Sequence, residues 1–175
     1  CNDFPPLPSD YAKMVKRVTE HLGCRIILEP GRFLVGNAGI LVSTVVYIKD
    51  GEERKFLIVD AAMNDLIRPS MYDAYHEIVP VLESNEDILL YDIVGPVCET
   101  GDSFASNRPI TSMKTGDLLA IRSVGAYGAV MSSTYNTRKL IPEVLVKDDK
   151  FAVVRPRPTY EEIINLDHIA PWLSE

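Results

Sequence analysis

The chain has 175 residues, of which 46% are hydrophobic and 25% are charged, a composition typical of a globular protein with a substantial core. Its net charge is −7 and its pI is about 5.0, which argues against nucleic acid or an anionic membrane as the main partner. The apolar runs are far shorter than a membrane span, and no signal peptide is visible. The cysteines (Cys1, Cys24 and Cys98) lack metal-ligand or disulfide-framework spacing, which predicts a reducing, cytoplasmic location.

The first predicted element is a helix from residue 9 to about residue 22, with Ser9 as its N-cap and Gly23 after its end. Its apolar side chains fall on one face. A short buried strand is predicted at 25–28, and it leads into the turn at residues 29–32, EPGR. This order of helix, strand and polar turn is typical of the end of a β/α repeat.

From about residue 37 the pattern changes to closely spaced strands, which are predicted at 39–49, 55–60, 77–81, 88–94, 117–123, 143–147 and 151–155. A hairpin turn is predicted at Asp50-Gly51, and short helices at 64–74 and 159–165. Many strands with few helices favour an antiparallel β-barrel or sandwich. We therefore predict a mainly β fold with some α, divided into domains at 1–36 and 37–175.

Three polar stretches stand out as candidate sites. In the EPGR turn, Pro30 and Gly31 leave a rigid, bare backbone between a carboxylate and a guanidinium, which suits a small polar ligand; a surface turn with an ion pair is the simpler reading. In residues 60–76, Arg68 and Tyr72 are four apart and would share a helix face, although Pro69 favours a turn at Arg68; a solvated short helix is the alternative.

The third stretch is residues 95–102, GPVCETGD, a loop with glycines near both ends, one thiol and two carboxylates. Many lone cysteines are buried filler, but a cysteine on a polar loop can have a pKa tuned by its neighbours. In GAYG at 125–128, Tyr127 could meet a phosphate or lie in the core. The histidines have neither metal nor triad spacing, so no metal site is predicted.

Four segments in this order, ILEPGR, DAAMNDLIRPSMYDAYHEI, GPVCETGD and GAYGAVMSSTYNTR, resemble the C-terminal part of the diaminopimelate decarboxylase family. These enzymes belong to the pyridoxal 5'-phosphate (PLP) decarboxylases with an alanine-racemase-like barrel. The resemblance runs from about residue 9 to the C-terminus, and the IRPSMY segment favours diaminopimelate over ornithine or arginine. It implies that residues 1–36 are the last helix–strand unit of a (β/α)8 PLP-binding barrel, followed by a β-barrel-like domain.

The resemblance also implies roles for residues of the first two segments. Glu29 would pair with the pyridine nitrogen of PLP, and the backbone at Gly31 would approach the phosphate. Arg32 would contribute to both cofactor and substrate binding. Arg68 and Tyr72, together with Arg32, would hold the distal carboxylate of the substrate, for which a planar guanidinium is suited.

In the other two segments, Glu99 would contact the distal amine, and Tyr127 would contact PLP or substrate. Cys98 would be the catalytic acid that returns a proton after decarboxylation. Similar enzymes are homodimers in which the cysteine loop enters the neighbouring subunit's site. The resemblance therefore predicts a lyase of lysine biosynthesis, with shared active sites, that converts meso-2,6-diaminopimelate to L-lysine and CO₂.

No lysine of this chain lies in the family's Schiff-base motif, which belongs to the N-terminal barrel segment. The chain is therefore expected to be a C-terminal fragment that is inactive by itself. Two alternatives stay open at this point: a decarboxylase of another basic amino acid (ornithine, arginine or lysine), or a non-catalytic β-domain binding protein. Paired arginines aimed at a distal carboxylate argue against the first alternative, because lysine and ornithine lack that carboxylate.

Overall fold

The computed structural model describes residues 6–173, and the chain divides into two compact units, Cys1–Gly31 and Arg32–Glu175. Cys1 lies outside the described residues. None of the helices within residues 6–173 is both long and apolar enough to cross a membrane. The assignment of residues 1–36 to a barrel domain stays a prediction.

The first unit contains the predicted helix, α1 (Pro8–Thr19), continued by a 3₁₀ turn at Glu20–Leu22. A proline in the first helical turn is tolerated because its missing N–H would have no intrahelical partner. Gly23 ends the helix in the left-handed conformation that glycine adopts most readily, with φ of 60°. The strand predicted at 25–28 is not formed: the segment has no regular secondary structure, is exposed and has no paired strand in this unit.

The second unit contains eight strands and two α-helices among its described residues. The strands are β1 (Ile40–Asp50), β2 (Lys55–Val59), β3 (Ile78–Pro80), β4 (Ile88–Val94), β5 (Ser103–Thr111), β6 (Leu118–Arg122), β7 (Glu143–Lys147) and β8 (Lys150–Arg155). The helices are α2 (Arg68–Tyr72) and α3 (Tyr160–Ile164). The mainly β fold predicted from the sequence is confirmed, and both helices are shorter than predicted.

Six strands form one sheet in the order β3-β6-β1-β2-β4-β5, and its two outermost strands, β3 and β5, lie close together. The result is a nearly closed barrel. Every pair is antiparallel except β2 and β4, which run parallel because the intervening chain crosses over through α2 and β3. The predicted antiparallel β-barrel is confirmed, apart from this one parallel pair.

The interior of the sheet is filled by apolar side chains from every strand. Those with at most 1% of their surface exposed include Val45, Leu57, Val59, Ile93, Leu119 and Ile121. Their positions alternate with more exposed residues, as in β2, where Leu57 and Val59 are buried on either side of Ile58. This apolar interior anchors the loops that leave the strand ends.

Strand β5 was not predicted, because Asn107, Arg108 and Pro109 interrupt its apolar pattern. Asn107 has a φ of 48° and forms a bulge opposite β4, where its N–H donates to Asp92 Oδ1 at 2.8 Å. The neighbouring Arg108 Nη1 donates to the carbonyl oxygen of His76, just before β3, at 2.9 Å. A side chain thus links the two outermost strands of the sheet.

Strands β7 and β8 form a separate antiparallel ribbon whose side chains are almost all exposed. Helix α3 follows it and begins with a capping box: Thr159 Oγ1 accepts from the N–H of Glu162, whose carboxylate accepts from the N–H of Thr159. The N–H and the hydroxyl of Thr159, which both donate to the Glu162 carboxylate, lower the pKa of that carboxyl. The hairpin predicted at Asp50-Gly51 is formed, but its connection is residues 51–54, between the paired residues Asp50 of β1 and Lys55 of β2.

Candidate functional site

The guanidinium of Arg68 lies between two tyrosine rings. Its Cζ atom is 5.7 Å from the ring centroid of Tyr72 and 5.6 Å from that of Tyr127, which is cation–π distance. Arg68 is the first residue of α2 and not part of a preceding turn, since Pro69 occupies the first helical turn, where proline is tolerated. Arg68 is half-buried and Tyr72 is exposed. The helix therefore presents a cation within cation–π distance of two tyrosine rings.

Tyr127 is held in the left-handed region with φ of 60°, an unfavourable conformation for a non-glycine residue. Its segment packs backbone to backbone on the turn that begins at Arg32. The N–H of Gly125 donates to the carbonyl of Gly36 at 3.0 Å, and a Cβ on Gly39 would lie 2.6 Å from the Cα of Gly125. Only glycine fits such an approach, so the Arg32 turn and the Tyr127 segment are fixed to each other.

The cysteine loop, residues 95–102, lies against α2. A Cβ on Gly101 would lie 2.7 Å from Ser70 Oγ, so the loop backbone contacts the helix that carries Arg68. Cys98 and Glu99 are exposed on this loop. The reading of Cys98 as buried filler is therefore wrong.

Tyr135 is a site neighbour that the sequence reasoning did not single out. Its hydroxyl donates to Glu99 Oε2 at 3.3 Å. It lies in the 3₁₀ turn Tyr135–Thr137, where Asn136 and Thr137 both have positive φ. The TYN triplet within the segment GAYGAVMSSTYNTR indicates such a turn, because asparagine is common in left-handed turns.

A buried polar cluster in residues 61–65 connects these parts. Asn64 Nδ2 donates to the carbonyl of Ser133 at 3.0 Å, and Asn64 Oδ1 accepts from Arg138 Nε at 2.9 Å. The N–H of Met63 donates to Asp102 Oδ1 at 2.6 Å. The short segment before α2 thus binds both the cysteine loop and the segment that carries Tyr135.

Three aspartates of this region have shifted pKa values. Burial raises the pKa of Asp65 and of Asp102, against the effect of backbone N–H donors and of the Arg138 guanidinium. Burial also acts on Asp60, but hydrogen bonds from Ser43 and Thr44 outweigh it and lower the pKa. The charged form is therefore favoured at Asp60 and disfavoured at Asp65 and Asp102, relative to an ordinary aspartate.

Glu29 and Gly31 lie at the C-terminal end of the first unit and are exposed. Their roles, and that of Arg32, stay predictions. Within residues 6–173 no group of three or more histidine, cysteine, aspartate or glutamate side chains could hold a metal ion.

Known proteins resemble this chain along most of its length. Residues 13–125 match the family model described as pyridoxal-dependent decarboxylase, C-terminal sheet domain. The chain is 52% identical, over 97% of its length, to a diaminopimelate decarboxylase of Zymomonas mobilis, and 48% identical, over 93%, to one of Aquifex aeolicus. It spans 40% and 39% of those two relatives.

Solved structures share the fold as well. The structure of diaminopimelate decarboxylase from Helicobacter pylori complexed with L-lysine matches 94% of this chain with a TM-score of 0.87 and 39% identity. The match covers 41% of that protein. The sequence resemblance is confirmed, and the chain belongs to the pyridoxal-dependent decarboxylase family.

Proposed function

We propose that this chain is the C-terminal part of a decarboxylase that converts meso-2,6-diaminopimelate to L-lysine and CO₂. The observation that carries the proposal is the Arg68 guanidinium between Tyr72 and Tyr127, beside the cysteine loop. Identity of about half to named diaminopimelate decarboxylases supports the same activity. The L-lysine bound to the Helicobacter pylori relative is the product expected of it.

Substrate choice follows from the charge of Arg68. Diaminopimelate carries a second carboxylate at the end opposite to the one that is lost, and a guanidinium binds a carboxylate with strong, directional hydrogen bonds. Tyr72 and Tyr127 lie within cation–π distance of this guanidinium and support it. Arg32 and Tyr72 complete this carboxylate subsite in the proposal, and Glu99 accepts from the distal ammonium.

The residues around Tyr127 fit the phosphate of PLP. Tyr127 offers a hydroxyl donor, and the closely packed Arg32 turn brings backbone to the same segment. We propose that Glu29, Gly31, Arg32 and Tyr127 hold PLP, which supplies an electron sink for the electron pair that CO₂ leaves behind. Glu29 would keep the pyridine nitrogen protonated.

Cys98 is the proposed acid. Loss of CO₂ leaves the α-carbon one proton short of L-lysine, and the Cys98 Sγ–H can deliver that proton to one face of the carbon. The exposed position of Cys98 and Glu99 suits residues that reach a neighbouring subunit's site, which supports a homodimer with shared sites. The Schiff-base lysine would come from an N-terminal barrel segment.

A cytoplasmic location belongs to the same proposal. Cys24 and Cys98 are both free and exposed within the described part of the chain, as expected in a reducing compartment. Cell fractionation of the full-length protein tests the location.

The activity is tested with Arg68→Ala in the full-length enzyme, with Arg122→Ala as the matched control. Arg122 is an exposed arginine of β6 that pairs with Glu77 at 2.8 Å. Since a charged hydrogen bond contributes about 1.5–3 kcal/mol, Arg68→Ala should lower kcat/KM for diaminopimelate by about one to two powers of ten. Arg122→Ala should leave it unchanged.

The measurement is CO₂ release from diaminopimelate, L-lysine and L-ornithine, with PLP content determined in parallel. Arg68→Ala should alter only the reaction of the substrate with a distal carboxylate, at unchanged PLP content. Faster CO₂ release by the wild-type enzyme from L-lysine or L-ornithine than from diaminopimelate would contradict the proposed substrate. Loss of PLP with intact discrimination would contradict the role of Arg68.

A further inference from the structure

Asp102 ends the cysteine loop and is only 3% exposed. Its two carboxylate oxygens accept from different parts of the molecule. Oδ2 accepts from the N–H of Val97, within the loop, at 2.7 Å, and Oδ1 accepts from the N–H of Met63, in the segment before α2, at 2.6 Å. One side chain therefore ties the loop both to itself and to the segment that leads to Arg68.

The surrounding backbone is shaped to this carboxylate. The N–H of Gly95 donates to the carbonyl of Asp102 at 3.0 Å, which closes the loop at its base. A Cβ on Gly95 would overlap both carboxylate oxygens of Asp102, so a side chain at this position would displace the carboxylate. Gly101 rests on Ser70 of α2, so the loop is fixed at its base and at its side.

The exposed tip of the same loop carries the proposed catalytic groups. Cys98 and Glu99 lie between Val97, which Asp102 binds, and Gly101. Asp102 is buried and both of its oxygens accept from protein N–H groups, so its side chain is placed to hold the loop and not to contact a substrate. Its burial, which raises the pKa of its carboxyl, is opposed by these N–H donors and by Arg138.

We propose that Asp102 is a positioning residue that fixes Cys98 and Glu99 relative to Arg68. It does so by accepting hydrogen bonds from the N–H groups of Val97 and Met63, and we call this pair of hydrogen bonds the clasp. This inference rests on the proposed function for its effect on catalysis, whereas the clasp itself depends only on the hydrogen bonds described above. Proton delivery to a carbon requires the donor within hydrogen-bond reach, so a loosened loop slows the step that depends on Cys98.

The test uses the full-length enzyme with Asp102→Asn, and Asp92→Asn as its control. An asparagine keeps the shape but has one acceptor oxygen, so only one of the two N–H donors stays bound. Asp92 is suited to the comparison because it is 5% exposed and also accepts with both oxygens, from the N–H of Asn107 and from Arg54, neither of which belongs to the cysteine loop. Asp102→Ala removes both acceptors and gives a stronger version of the change.

The first measurement is amide hydrogen exchange of peptides that cover residues 61–65 and 95–103. Asp102→Asn should accelerate exchange by about tenfold in the peptide whose N–H loses its acceptor, and Asp102→Ala should do so in both peptides, as expected when a buried hydrogen bond is lost. Asp92→Asn should accelerate exchange in neither peptide. Unchanged exchange in the Asp102 variants would overturn the clasp. This measurement needs no activity, so it decides the clasp even if the enzyme does not decarboxylate diaminopimelate.

The second measurement is kcat for diaminopimelate in a double-mutant cycle with Cys98→Ala. Asp102→Asn should lower kcat by about tenfold in the wild-type background and hardly at all in the Cys98→Ala background, because residues that act through one group are not additive. Equal factors in both backgrounds would overturn the positioning role and leave Asp102 a general stabiliser. Should Asp102→Ala fail to fold, Asp102→Asn alone decides both measurements.

Discussion

The six-stranded sheet and the β7–β8 ribbon are both built from apolar strands, but they bury their side chains very differently. Leu57 and Ile93 of the sheet are 0% exposed, whereas Leu145 and Phe151 of the ribbon are 64% and 76% exposed. The sheet curls until its outermost strands meet, so one face of each strand points inward, while a two-stranded ribbon has no second layer to cover it. An apolar alternating sequence thus predicts a strand, and closure of the sheet decides its burial.

The largest effect is expected from the same substitution made in both regions. Leu57→Ala should lower the free energy of unfolding by about 2–5 kcal/mol, because it leaves a cavity in a close-packed interior. Leu145→Ala should change it by no more than about 0.5 kcal/mol, as is usual for an exposed side chain. Chemical denaturation of the full chain measures both values, and equal losses would show that the ribbon is buried in the folded protein.

A second comparison removes a polar contact from each region. Asp92→Ala should cost about 1–3 kcal/mol, because the N–H of Asn107 at the β5 bulge would lose its buried acceptor. Arg155→Ala in the ribbon breaks an ion pair with Glu143 at 2.6 Å, but Arg155 is 56% exposed, so the loss should be about 0–1 kcal/mol. Denaturation midpoints at two salt concentrations check this, and a large loss for Arg155→Ala would contradict it.

The smallest effect is a pH dependence at one end of the sheet, where Asp60 follows β2 and Asp102 precedes β5. The pKa of Asp102 is raised above 3.8 in the folded protein, so the unfolded chain ionises first and stability falls as the pH rises from 3.8 to the folded value. The pKa of Asp60 is lowered below 3.8, so its contribution is present above 3.8 and is lost as the pH falls through the folded value.

The variants Asp102→Asn and Asp60→Asn should therefore differ from the wild-type melting temperature in opposite directions as the pH rises. Between acidic and neutral pH, the melting temperature of Asp102→Asn should rise relative to wild type, and that of Asp60→Asn should fall relative to wild type. Thermal unfolding of the three proteins across this range provides the measurement. Parallel curves for all three would mean that neither carboxyl changes its pKa on folding.

Sequence reasoning found seven of the eight strands of the described residues, including β7 and β8 of the exposed ribbon, and it failed where tertiary context decides. The run at 25–28 is as apolar as a buried strand, yet it pairs with no strand in its unit. Strand β5 was missed because Asn107 and Pro109 resemble a turn, and only the Asp92 carboxylate makes the bulge favourable.

In the candidate site, too, local spacing predicts some contacts and the folded chain alone reveals others. The four-residue spacing of Arg68 and Tyr72 predicts a shared helix face, and Arg68 does contact the Tyr72 ring. The contact of Met63 with Asp102 joins residues 39 apart, and that of Asn64 with Arg138 joins residues 74 apart. No local pattern encodes such separations, so the buried cluster could be found only in the folded chain.

The link between β3 and β5 through Arg108 affects how copies of this protein behave at high concentration. An open strand edge can recruit the backbone of another molecule and start cross-β aggregation. Here β5 carries a charged side chain, Pro109 and the bulge at Asn107, all of which oppose such recruitment, and Arg108 turns the edge toward β3. Copies that meet along this seam must therefore associate through side-chain surfaces and not by extending the sheet.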